Sequence, residues 1–189
     1  SGMEMVLIPQ RLQLTGISAS QALGIYGVFT GMALPLLLFP ATVPNSLSVM
    51  LMPSVAGMQA LGSNKRIRSI AFQTFTVCFL FGGFFSAFFF LFGNPLGHFL
   101  FHSETAGSYI RGLAFICPFL YANTTLESIL SGLGKTDSCL FHNVAGVCTR
   151  IAFVLFAIPR FGMHGYFHGI LISQLLLCFL HLSATFLTI

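Results

Sequence analysis

Long apolar runs recur along this chain, each near the roughly twenty residues that a helix needs to cross a bilayer's ~30 Å hydrocarbon core. They predict an all-α integral membrane protein, a polytopic helical bundle of about five crossings at 22–56, 68–92, 108–133, 138–158 and 166–189. The segments between them carry turn formers: "GSNKR", "GNPLGHFLFHSETAG", "GLGKTD" and "IPRFGMHG". The first run is too long for a straight crossing, since a fully helical 22–56 would span roughly 50 Å. Pro35, Pro40, Pro44 and Pro53 must kink or break it. One long, bent crossing is expected there, and a two-crossing hairpin over 22–61 is the alternative. Residues 1–21 are expected to be an extracellular loop or lead-in, and 22–189 the transmembrane unit.

Polar positions inside these runs are few, so their spacing carries information. On the third crossing Asn123, Glu127 and Ser131 recur every four residues, which makes one stripe on a helix. On the fourth, His142, Asn143, Gly146, Thr149 and Arg150 share a face. Gln174, Cys178, His181 and Thr185 do so on the fifth. Three polar stripes on successive helices predict a hydrated cleft, and the candidate path residues are Arg150, Glu127, Asn123, Asn143, His142, Arg111, Gln174 and His181.

Arg150 stands out because "GVCTRIAFVLF" is otherwise apolar. It lies roughly 12 Å from the outer end of its helix, and a charge at mid-depth costs about 2.5–3.5 kcal/mol on insertion scales. It should therefore face a cavity or a partner. The competing reading is a structural arginine that caps carbonyls or pairs with a neighbour. Glu127 is the obvious partner but lies near the other end of its own helix, so two separate cleft groups are expected. Arg111, one turn inside the third crossing, suits interfacial anchoring and cleft lining equally well. His142 and His181 are deep enough to relay protons or to make interhelical hydrogen bonds. His98, His102, His164 and His168 fall near the outer interface; His164 and His168 are four apart but lack a third ligand, so no metal site is expected.

Composition sharpens the class. Only 6% of residues are charged and 56% are hydrophobic, too few charges to coat a globular surface. The net charge of +4 is small and scattered, which excludes a nucleic-acid footprint. Lys65, Arg66 and Arg68 are separated from Lys135 by two crossings, so they share one face, and the positive-inside rule makes it cytoplasmic. Arg11, His98, His102, Glu104 and Arg160 then lie outside. The five cysteines sit in apolar runs without paired spacing, as small hydrophobes do. "SGMEMVLIPQRLQ" lacks the features of a signal peptide and an initiator Met, and is expected to begin partway through a larger protein. No nucleophile–base–orienter set, phosphate loop, zinc spacing or carboxylate pair is visible, so neither catalysis nor a cofactor is expected.

"YGVFTGMALPLLLFP" (26–40) and "ILSGLGKTD" (129–137) are specific stretches. Through them and nearly its whole length, the chain resembles sporulation-associated members of the oligosaccharidyl-lipid flippase branch of the MATE-like multidrug/oligosaccharide/polysaccharide exporter superfamily. These carry the polysaccharide biosynthesis C-terminal domain. The resemblance implies a two-lobed transporter, about six helices per lobe around a V-shaped cavity, which alternates between inward- and outward-open states. This chain would be its C-terminal lobe, with the N-terminal lobe as a missing partner. The cargo implied is a lipid-linked cell-wall or polysaccharide precursor, a polyprenyl-diphosphate saccharide, moved across the bacterial plasma membrane. Other implied partners are membrane lipids and a coupling ion, H+ or Na+. Arg150 would hold the diphosphate, whose oxygens suit the planar guanidinium fork. "SVAGMQA" departs from the family with Gly57 where an acidic residue is more usual. Two other readings stand: an organic-cation exporter of the same fold using Glu127, and a non-transporting envelope or sporulation scaffold or gene fragment. Half a cleft exposes polar stripes to lipid, so poor stability of the isolated piece is expected.

Overall fold

The computed structural model describes residues 2–188, and it is helical nearly throughout, with no strand among the described residues. Five helices are long and apolar enough to cross a membrane: Ala19–Ala60, Asn64–Phe101, Glu104–Gly132, Thr136–Phe156 and Ile158–Thr188. The chain is a multi-pass membrane protein built as an all-α bundle.

The segment expected as a lead-in contains α1 (Gly2–Gln13). It has no long apolar run, and Pro9 and Arg11 interrupt it, yet Glu4, Ile8 and Leu12 recur every four residues and form its buried face. After a short turn, Ser18 caps α2 (Ala19–Val28) through a reciprocal pair with Gln21.

Between 19 and 60 the chain bends but does not reverse. A π turn (Phe29–Ala33) leads into α3 (Leu34–Leu38), and a 3-10 turn (Phe39–Ala41) leads into α4 (Thr42–Ala60). Every junction residue keeps right-handed helical dihedrals. The irregularities coincide with proline, which lacks an N–H and clashes with the preceding turn. Leu34, just before Pro35, donates its N–H to Phe29, five residues back. The result is one long bent helix and no hairpin.

α5 (Asn64–Phe101) runs 38 residues, well beyond the apolar 68–92 on both sides. At ~1.5 Å per residue it is roughly 57 Å long, so its basic start and His98 extend past a ~30 Å core. α5 meets α6 (Glu104–Leu113) very closely: a Cβ built on Gly97 would fall 2.2 Å from the backbone nitrogen of Gly107. Small residues let the two backbones touch. A 3-10 turn (Ala114–Ile116) just before Pro118 joins α6 to α7 (Cys117–Gly132).

The α6–α7 rod is the central helix, with 61% of its most apolar window buried against 17% to 33% for the other four. α8 (Thr136–Phe156) and α9 (Ile158–Thr188) pack along each other beside it. Helix begins at Ile158, within the expected loop, and a break at Gly162 (φ 59°, ψ −144°) takes up the direction change. That dihedral pair is open to glycine alone at low cost.

Two cores anchor the bundle. The larger gathers Ile8, Leu12, Phe29, Leu113, Tyr121, Ile158 and Phe167 towards one end. The smaller, Val55, Ile67, Ala71, Ile129 and Leu133, lies where α4, α5 and α7 meet near the turns that carry Lys65 and Lys135. Gln59 ties these two turns together by donating its side-chain N–H to the Leu133 carbonyl at 3.3 Å. Between the cores the polar stripes face one another.

Candidate functional site

The stripes of α7, α8 and α9 enclose a cleft of about 320 Å³. Asn123, Thr124 and Glu127 line it from α7, Asn143, Gly146 and Arg150 from α8, and Gln174 and His181 from α9. Leu120, Val147 and Leu177 complete the wall, so the polar groups project from an apolar lining. Gly146 leaves room for Leu177, and Ser173 donates to the Gly146 carbonyl at 3.2 Å, which holds α8 and α9 close.

Polar pairs bridge the helices at successive depths. Asn123 Nδ2 donates to the side-chain oxygen of Gln174 at 2.7 Å and to its backbone carbonyl at 3.0 Å. Asn143 Nδ2 donates to Glu127 Oε1 at 2.7 Å. His142 and His181 meet with ring centroids 5.1 Å apart. At the opposite end of the cleft, Arg150 Nε donates to Glu4 Oε1 at 3.0 Å, an ion pair between α8 and α1. Asn123 bonds to Gln174 and Asn143 to a carboxylate, which offsets part of the cost of taking these amides out of water.

Six of the eight residues singled out from sequence therefore line one cleft: Arg150, Glu127, Asn123, Asn143, Gln174 and His181. His142 sits behind His181 and touches it. Arg111 lies on the α5–α6 side instead, its guanidinium carbon 4.7 Å from the centroid of the Phe90 ring, a cation–π contact. Arg150 and Glu127 both line the cleft but bind different partners, Glu4 and Asn143. Glu4 is the residue that sequence reasoning missed. Its signal was a lone carboxylate in register with Ile8 and Leu12, a buried stripe too short to read as a crossing.

The remaining histidines are placed apart from this cleft. His168 Nδ1 lies 2.7 Å from the carbonyl oxygen of His164, one turn back on α9. His98 and His102 lie with ring centroids 6.4 Å apart at the end of α5.

The model of the MatE family matches residues 14–156. The chain is 27% identical over 184 residues to stage V sporulation protein B of Bacillus subtilis (strain 168), covering 94% of this chain and 35% of that protein. It is also 27% identical over 183 residues to sporulation protein YkvU of the same organism, covering 96% of this chain and 41% of that one. The chain thus spans well under half the length of these curated relatives. No solved structure matches it.

Proposed function

We propose a flippase role for this chain, which belongs to the MatE family: it forms the C-terminal lobe of an alternating-access transporter. The cargo is a lipid-linked cell-wall or polysaccharide precursor, a polyprenyl-diphosphate saccharide, moved across the bacterial plasma membrane in a sporulation-related setting. An ion gradient or the membrane potential drives the cycle. The turns bearing Lys65, Arg66, Arg68 and Lys135 face the cytoplasm.

One observation carries this reading: the cleft has a guanidinium at one end whose anionic position is occupied by the Glu4 carboxylate. Only Nε of Arg150 has a hydrogen-bond partner among the described residues. Its two Nη groups are open to a second anion, and a guanidinium stays charged when dehydrated. A diphosphate would add to Glu4 or replace it, while the amide ladder of Asn123, Gln174 and Asn143 offers donors and acceptors to a sugar.

A cation exporter is the second reading, because Glu127 has no cationic partner among the described residues whereas Arg150 is already neutralised. Reconstitution of the full-length protein in liposomes separates the two. Translocation of a lipid-linked precursor without an organic-cation dye is the expected result, with loss in Arg150→Ala and partial retention in Arg150→Lys. Dye movement alone, abolished in Glu127→Gln, would overturn the flippase reading.

A further inference from the structure

Four buried side-chain atoms lack a hydrogen-bond partner among the described residues, and three of them are imidazole nitrogens meeting at one place: Nδ1 of His142 and both nitrogens of His181. The fourth, Oδ1 of Asn123, faces the same cleft. His181 is 1% exposed and His142 9%. Their rings lie 5.1 Å apart, tilted by 54°. A neutral imidazole presents one donor and one acceptor, and a buried one normally bonds both. These rings are packed from two helices into contact with each other, beside a cleft that reaches His181, with their polar edges unspent.

We propose that His142 and His181 together form a proton-binding site, in which the pair takes up one proton from water in the cleft. The step is a plain transfer: a hydronium ion gives its proton to an unprotonated ring nitrogen and leaves as water, and no other bond changes. The two rings touch without a hydrogen bond between them, and a proton on one would turn its ring to donate an N–H to the acceptor nitrogen of the other. Uptake stops at one, since two imidazolium charges at this separation repel in a medium of low dielectric.

Among the described residues, one carboxylate lines the cleft beside the pair. Glu127 on α7 lines the same cleft and accepts from Asn143, the residue next to His142. Arg150 on α8 lies two turns away and is held by Glu4 of α1. Arg68 of α5 sits against Phe186, its guanidinium carbon 5.7 Å from that ring's centroid. The nearer titratable neighbours on the same helices are Cys139 and Asp137 on α8 and Cys178 on α9. Arg11 of α1 and Glu104 and Arg111 of α6 belong to the far end of the bundle. Among these groups Glu127 is the one carboxylate placed to draw the proton in. A charged pair then competes with Asn143 for Glu127, so occupancy of the site would reset the rung that ties α7 to α8. This inference makes no use of the cargo and stands or falls apart from it.

The test is solid-state NMR of the full chain in lipid nanodiscs, with the histidine rings labelled, across about pH 3 to pH 8, since burial disfavours the charged imidazole. His142–Asn143 and His181–Leu182 are the only His–Asn and His–Leu dipeptides in the chain, so paired labelling identifies each ring without substitution. Both rings are expected to move together in one transition that takes up one proton. In His142→Gln, the His181 transition is expected to shift, and the converse in His181→Gln. Two unlinked transitions, or no change in either ring across the range, would overturn the proposal. Because no transport is measured, a failed flippase assay leaves this result untouched.

Discussion

At the scale of single residues, the Glu4–Arg150 pair decides how a guanidinium survives in this bundle. A lone charge at mid-depth costs about 2.5–3.5 kcal/mol on insertion scales, and a carboxylate 3.0 Å away removes most of that demand. Replacing Glu4 leaves the Arg150 guanidinium without its carboxylate, whereas replacing both leaves two neutral amides. Glu4→Gln and Arg150→Gln should therefore each destabilise the protein by more than their combined variant implies. The coupling expected from a double-mutant cycle is about 0.5–3 kcal/mol, read from reversible unfolding in mixed detergent micelles. Additive losses would show that the pair does not act as a unit. The same pair marks the limit of what spacing reveals. Asn123 and Glu127 on α7 and Asn143 and Arg150 on α8 share a cleft because they repeat at helical intervals in unmistakable crossings. Glu4 repeats with Ile8 and Leu12 just as regularly, but in a 12-residue helix holding Pro9, where length gives no membrane signal. Arg111 shows the converse: its depth was readable, but the choice between Phe90 and the cleft rests on helix rotation, which tertiary packing sets.

Among the elements, close backbone contact rather than side-chain interlock fixes α5 on α6. An alanine methyl at Gly97 would lie 2.2 Å from the Gly107 nitrogen and 2.3 Å from its Cα, and neither backbone atom can move aside alone. Gly97→Ala should push the helices apart and cost about 1–3 kcal/mol, the usual range for overpacking. Gly57→Ala in α4 is the matched control, since a methyl there meets nothing within 4 Å. Better helix propensity should make that variant neutral or more stable by up to about 1 kcal/mol. Thermal melts of the two variants in one detergent check both outcomes, and equal melting temperatures would refute the steric account. Element existence was legible because runs of about twenty apolar residues have few other solutions. Element ends were not. α5 continues into "NKR" and beyond Pro95, and α9 starts inside "IPRFGMHG", because a helix that has left the hydrocarbon no longer needs apolar residues. Gly162 in its glycine-only dihedrals then keeps α8 and α9 from forming one rod.

For the whole molecule, sidedness determines what the cleft could do, and charge placement predicts it. Successive crossings put the turns at Gly62 and Gly134 at one end of the bundle, joined by the Gln59–Leu133 hydrogen bond. Lys65, Arg66, Arg68 and Lys135 gather there, whereas the turns at the other end carry Arg11 and Arg160. The excess points that end to the cytoplasm, since basic loops translocate poorly. The lateral surface exposes Phe72, Phe84 and Phe179, as a lipid-facing body should. The expectation can be checked with single cysteines at Ser63 and at Thr15, in a background where all five native cysteines are serine. A membrane-impermeant maleimide added to intact cells should label Thr15→Cys and spare Ser63→Cys until the membrane is permeabilised. The reverse pattern would put the basic end outside. His142 and His181 would then draw their proton from a cleft whose near mouth faces the exterior, and Arg150 would meet its anion from the cytoplasm. Sidedness therefore fixes the direction in which the proton and the anion reach the cleft, whatever the cargo proves to be.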